Sequence, residues 1–192
     1  GLTRDTTVPL QAHCNAGVQL GGKRTFKTAG QAKGVQVTTV FAVHSNNARV
    51  EMLSEGGRAG LVPDNLSAYV GHANGYMLVF SNGLRVYLSG DTGIMSEMKT
   101  IIGDFYKPQL AIINLGATTM PSEEAAYAVN TLLRPAAVIP SHSSEAATEG
   151  GKLKAGSRTA DFVRLVKGRK VHLSLSGRTM EFDGKGKCVA GC

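Results

Sequence analysis

The stretch GYMLVFSNGLRVYLSGD (75–91) constrains the fold more than any other part of the chain. Two apolar runs flank Asn82-Gly83, and that dipeptide supplies the left-handed backbone a tight hairpin needs, so the stretch predicts two antiparallel strands. The residues after it then alternate. IMSEMKTIIGDF has apolar residues at 94, 95, 98, 101, 102 and 105, which is helical spacing. LAIINLG (110–116) reads as a strand, and PSEEAAYAVNTLL opens with Pro121-Ser122 and two glutamates, a helix start. AAVIPSHS reads as a strand with a polar tip, SRTADFVRLVK as a helix and KVHLSLSGRTMEF as a strand or hairpin. Upstream, GVQVTTVFAV (34–43) is rich in β-branched residues and reads as a buried strand. A hairpin followed by alternating strands and helices is α/β, with helices covering at least one sheet face.

Residues 1–33 are polar and glycine-rich without a sustained period and are expected to be irregular, which leaves 34–192 as the patterned, folded part of the chain. The stretch 45–75 is too long for a plain connection, and loops of that length usually carry function. Hydrophobic residues make up 42% of the 192 and charged residues only 18%, which excludes a disordered chain. There is no run of eighteen apolar residues, so no membrane partner is expected. The formal charge of +7 comes from scattered lysines and arginines with little aromatic interleaving, which argues for a basic solvated surface rather than a nucleic-acid partner. Cys188 and Cys192, in CVAGC, read equally as a disulfide or as two free thiols. The opening GLTRDTTVPL lacks a signal-peptide layout, and cytoplasmic and periplasmic locations both stay open.

In α/β sheets, ligands bind outside the carboxyl ends of the strands. Three polar residues follow strands here: His44 after VTTVFAV, Asp91 after LRVYLSG and His142 after AAVIPS. Singly, each is read as a turn or surface residue. Together, two imidazoles and a carboxylate are donors that a zinc-like ion accepts. Asp91-Thr92-Gly93 also matches half of an aspartic-protease dyad, in which two carboxylates share one proton. Only one such turn occurs, so that chemistry requires a homodimer. No G-x-S-x-G elbow supports a serine hydrolase.

The order VQVTTVFAVHS, then GYMLVFSNGLRVYLSGDTG, then KPQLAIINLGATTMPSEEAAYAVNTLLRPAAVIPSH resembles the later part of metallo-β-lactamase-fold hydrolases, in the branch that contains the ascorbate-phosphate lactonases. The resemblance covers roughly residues 34–145. It implies the carboxyl-terminal part of a four-layer αββα sandwich with a metal site at the sheet edge. By that resemblance His44 is a ligand of the first metal, Asp91 the carboxylate bridging both, and His142 a ligand of the second. The implied activity is metal-assisted hydrolysis of a small-molecule lactone, ester, amide or phosphoester. Two ions are implied, zinc first, then manganese or iron, and such ions lower the pKa of a water between them so that it is held as hydroxide. The loop 45–75, with Arg58, Tyr69 and His72, is expected to line the substrate pocket.

One departure is large. The family signature H-x-H-x-D-H is absent from the 192 residues, and neither His13 nor His72 matches a ligand motif. His172 alternates with Val171 and Leu173 and reads as structural or exposed. An upstream chain or segment bearing the signature is therefore expected as a partner, through cleavage of a precursor or truncation, in a processed or heterodimeric enzyme. The alternatives are a non-catalytic binding or structural subunit of the same fold, and a dimeric aspartic protease using Asp91.

Overall fold

The computed structural model describes residues 19–48, 68–69 and 71–192. Thirteen strands are present among them: β1 Lys23–Phe26, β2 Val35–Phe41, β3 Asn47–Ala48, β4 Ala68–Tyr69, β5 Asn74–Val79, β6 Arg85–Leu88, β7 Leu110–Asn114, β8 Ala137–Ser141, β9 Thr148–Glu149, β10 Lys152–Leu153, β11 Lys170–Val171, β12 Glu181–Phe182 and β13 Cys188–Ala190. The helical segments are α1 Met98–Tyr106, α2 Ser122–Tyr127, α3 Ala128–Leu133, which continues α2 directly, and α4 Arg158–Leu165.

Seven strands form one sheet in the order β1-β2-β5-β6-β7-β8-β11. The expected hairpin is β5–β6, although its turn spans Phe80 to Leu84, and Gly83 alone takes the left-handed conformation. The pairs β1–β2, β2–β5 and β5–β6 are antiparallel, and β6–β7, β7–β8 and β8–β11 are parallel. Since β2 and β6 both run against β5, they point the same way. The carboxyl ends of β2, β6, β7 and β8 therefore share one edge of the sheet.

The segment expected to be irregular contributes an edge strand, β1, which pairs with β2 from Lys23↔Thr38 to Phe26↔Val35. A short β3–β4 ladder joins the two ends of the expected long loop. Beyond β11 the expected strand stops after two residues, and the chain next pairs in the β12–β13 hairpin.

The sheet is apolar on both faces. Met77, Tyr87, Ala111, Ile113 and Val138 pack with Met98, Ile102, Ala125, Val129, Leu133 and Phe162 in the main core. Their neighbours along the strands, including Val86, Leu110 and Ile139, face the other way and pack with Met180 and Phe182. A sheet with hydrophobic residues on alternate faces is an inner layer, not one with a solvated side. The winding of α1 departs from expectation. Its closing bond runs from Lys107 N–H to the Ile102 carbonyl, five residues back, so α1 is π-helical. With more residues per turn, Met98 and Ile102 are buried but Ile101 and Phe105 are exposed, where regular helical spacing placed all of them on one face. Helix α4 starts conventionally, with Ser157 Oγ accepting from Ala160 N–H at 3.1 Å.

Candidate metal centre

At the shared strand edge, three sequence-predicted residues meet. His44 Nε2 lies 3.0 Å and His142 Nε2 3.1 Å from the same oxygen, Asp91 Oδ2. All three stay open to solvent, the His142 side chain most of all. The other carboxylate oxygen is held from behind. Asp91 Oδ1 accepts from Thr119 Oγ1 at 2.7 Å and from Asn114 Nδ2 at 3.2 Å. The carboxylate is thus turned so that Oδ2 alone faces the imidazoles.

Each residue is placed by local chemistry. Gly90 turns the chain after β6 at a positive φ of 68°, and a Cβ there would lie 2.5 Å from the Asn74 carbonyl, so no other residue fits. Thr92 stitches the Asp91 turn to the end of β2: its Oγ1 accepts from Val43 N–H at 2.9 Å, and Gly93 N–H donates to the Val43 carbonyl at 2.8 Å. Val43 precedes His44, so the two strand ends are clamped together. Gly116 leaves the space that the Thr119 hydroxyl occupies on its way to Asp91. His142 itself adopts a left-handed backbone, φ 50°, an uncommon conformation for a residue other than glycine. The Arg158 guanidinium donates to the carbonyl of the next residue, Ser143, and so braces the His142 turn from α4.

The protonation pattern bears on what the site accepts. His44 Nδ1 lies 2.8 Å from the Ser45 carbonyl, an acceptor only, so Nδ1 carries a proton. In the neutral ring Nε2 then presents a lone pair toward Asp91 Oδ2, which also only accepts. Two acceptors 3.0 Å apart call for positive charge between them, a proton or a metal ion. Donors each about 2.0–2.2 Å from a common tetrahedral ion are themselves about 3.3–3.6 Å apart, so the imidazoles, at 3.0 and 3.1 Å from Oδ2, need move outward by only a few tenths of an ångström to admit one. The donor set and the carbonyl-anchored imidazole therefore fit a zinc-like ion. Three donors do not complete the coordination of two ions. Among the described residues, the only trio whose ligand atoms all fall within 4.8 Å of one another is His172, Cys188 and Cys192. The strand-end set is more open, with Oδ2 as the common point between its two imidazoles.

Tyr69 and His72 pack edge to face with ring centroids 5.9 Å apart, both exposed. Arg58 and most of the loop 45–75 lie outside the described residues, as does His13. Nothing among the described residues brings a second carboxylate onto Asp91, whose two oxygens are taken by imidazoles on one side and by Thr119 and Asn114 on the other. His172 is half-buried, and burial together with nearby Lys170 holds its pKa below the usual imidazole range. Sequence reasoning missed Asn114, Thr119 and Arg158. Asn114 left a signal: an amide that ends the apolar run LAIIN and is wholly buried has to find partners, and it bonds Ser89, Thr92 and Asp91.

No family model matches the chain. It is 32% identical over 185 residues to a UPF0173 metal-dependent hydrolase of Polynucleobacter asymbioticus, covering 93% of this chain and 59% of the relative. The corresponding protein Atu1317 of Agrobacterium fabrum is 30% identical over 192 residues, covering 94% of this chain and 74% of the relative. Among solved structures, Igni18, a metallo hydrolase of the archaeon Ignicoccus hospitalis, superposes with a TM-score of 0.53 at 25% identity, over 91% of this chain and 59% of that one. The chain thus spans little more than half the length of the Polynucleobacter relative.

Proposed function

The chain belongs to the UPF0173 family of metal-dependent hydrolases, of metallo-β-lactamase fold, and on that premise we propose that His44, Asp91 and His142 are its contribution to a dinuclear hydrolytic site. One observation carries the reading: two imidazole nitrogens meet one carboxylate oxygen while the other oxygen is tied back into the fold. Zinc is the first candidate for the ions, and manganese or iron the next. When bound, the metals supply a Lewis acid for the scissile carbonyl or phosphoryl group and lower the pKa of the attacking water.

The chain's own residues hold and orient. Asp91 would hold metal through Oδ2 and supply the negative charge there, and Thr119 and Asn114 prevent the carboxylate from rotating away. His44 and His142 would hold metal through Nε2, with Ser45 setting the tautomer of His44. The missing donors come from a segment bearing H-x-H-x-D-H that lies outside the 192 residues. Tyr69 and His72 flank the substrate, a small molecule with a lactone, ester, amide or phosphoester bond. Zinc alone is compared with manganese and iron in metal analysis of the chain, with and without a peptide or longer chain carrying the signature. The 192-residue chain is expected to bind metal weakly, Asp91→Ala to bind less, and chelator-sensitive hydrolysis to need the added segment. Two tightly held ions in the 192-residue chain alone, or retention by Asp91→Ala, overturns the ligand set.

A further inference from the structure

A second cluster of ligating side chains lies away from the strand-end site. His172 follows β11, and its backbone N–H donates to the Val138 carbonyl at 2.9 Å. Val138 stands four residues before His142 along β8, which is about 13 Å of strand. Cys188 opens β13, directly opposite Phe182 in the β12–β13 ladder. Phe182 in turn packs edge to face on the His172 ring at 5.3 Å. The hairpin thus brings Cys188, and with it Cys192, onto the imidazole. The three ligand atoms lie within 4.8 Å of one another and line a cavity of about 450 Å³. Cys188 and Cys192 are joined as a disulfide, and Lys170, Lys185 and Lys187 line the same cavity.

We propose that reduction of the Cys188–Cys192 disulfide opens a second cation site, in which both thiolates and the His172 imidazole bind one thiophilic divalent ion such as zinc. Two soft sulfurs and a nitrogen select zinc-like ions over magnesium or calcium, which prefer oxygen. The flanking lysines offset the charge that two thiolates concentrate in one cavity. Three protein ligands leave a fourth position for water or an anion. With a phosphine as reductant, two electrons pass from phosphorus into the S–S bond, which breaks. The phosphine leaves as its oxide with the oxygen of one water, whose two protons end on the two sulfurs. Binding of one divalent ion then displaces both protons to solvent. In the disulfide state neither sulfur is a thiolate, so metal binding and the disulfide exclude each other.

Cobalt(II) titration of the 192-residue chain tests this in a Cys14→Ser background, so that Cys188 and Cys192 are the only possible thiolates. After phosphine treatment, with two thiols confirmed by titration, one equivalent of cobalt is expected to give a near-ultraviolet thiolate-to-cobalt charge-transfer band, which zinc then abolishes. The strand-end site has no sulfur and contributes nothing to that band, so its failure would read out separately. Untreated protein with no free thiols, and reduced Cys188→Ser or Cys192→Ser, are expected to lack the band, and His172→Ala to weaken cobalt binding. No band after confirmed reduction, a band that survives Cys188→Ser, or unchanged binding in His172→Ala overturns the proposal.

Discussion

Replacing Thr119 by valine removes one hydroxyl and keeps the side chain's shape, which isolates the anchoring of Asp91 from packing. The hydroxyl is the principal donor to Asp91 Oδ1, at 2.7 Å. The alternative donor, Asn114 Nδ2, sits 3.2 Å away and is shared with the Thr92 carbonyl at 2.9 Å and the Thr119 hydroxyl at 3.3 Å. A hydrogen bond to a charged group contributes about 1.5–3 kcal/mol. Asp91 is about a third exposed, 31%, so solvent screening takes part of that away. A net loss of about 1–1.5 kcal/mol in metal binding is expected, roughly a tenfold weaker affinity. Competition with a chromophoric chelator measures it, on protein whose urea midpoint without metal shows that the fold is intact. Thr119→Ser keeps the hydroxyl and is expected to bind close to wild type. If valine binds as tightly as threonine, or serine as weakly as valine, the hydroxyl does not orient the carboxylate and the reasoning fails.

Two further outcomes concern stability. The Tyr87 hydroxyl is wholly buried with no hydrogen-bond partner among the described residues, and burial pushes its pKa far above the ordinary phenol value. Tyr87→Phe is therefore expected to be neutral or to stabilise by up to about 1–2 kcal/mol in urea unfolding, and a clear destabilisation would reveal a partner for that hydroxyl. His172 has a folded pKa below its unfolded value, first through burial and then through Lys170, so the unfolded chain binds more protons in that interval. Stability is expected to rise with pH from the depressed folded pKa up to about 6.5, and His172→Gln to remove that part of the slope. An unchanged slope in unfolding measured across that range counts against the assignment.

Much of the architecture was legible in the linear chain because it depends on local patterns. Apolar runs of strand length, the Asn82-Gly83 turn and the Pro121-Ser122 helix start each act within a few residues, and their order dictates α/β. The same order places His44, Asp91 and His142 after strands, and strand direction in such sheets brings those ends to one edge. What the pattern does not carry is anything set across the fold. The π-helical winding of α1, which exposes Ile101 and Phe105, does not follow from apolar spacing. Strand β1 lies in a polar segment and exists because β2 offers it an unpaired edge. The choice of which Asp91 oxygen faces the imidazoles is made by Thr119 and Asn114, 28 and 23 residues away. Likewise, Cys188 comes onto His172 only because Phe182 is bonded opposite the one and stacked on the other. Residue types and strand order can be read along a chain, but hydrogen-bond partners come from distant segments whose meeting is decided by the packing of the whole.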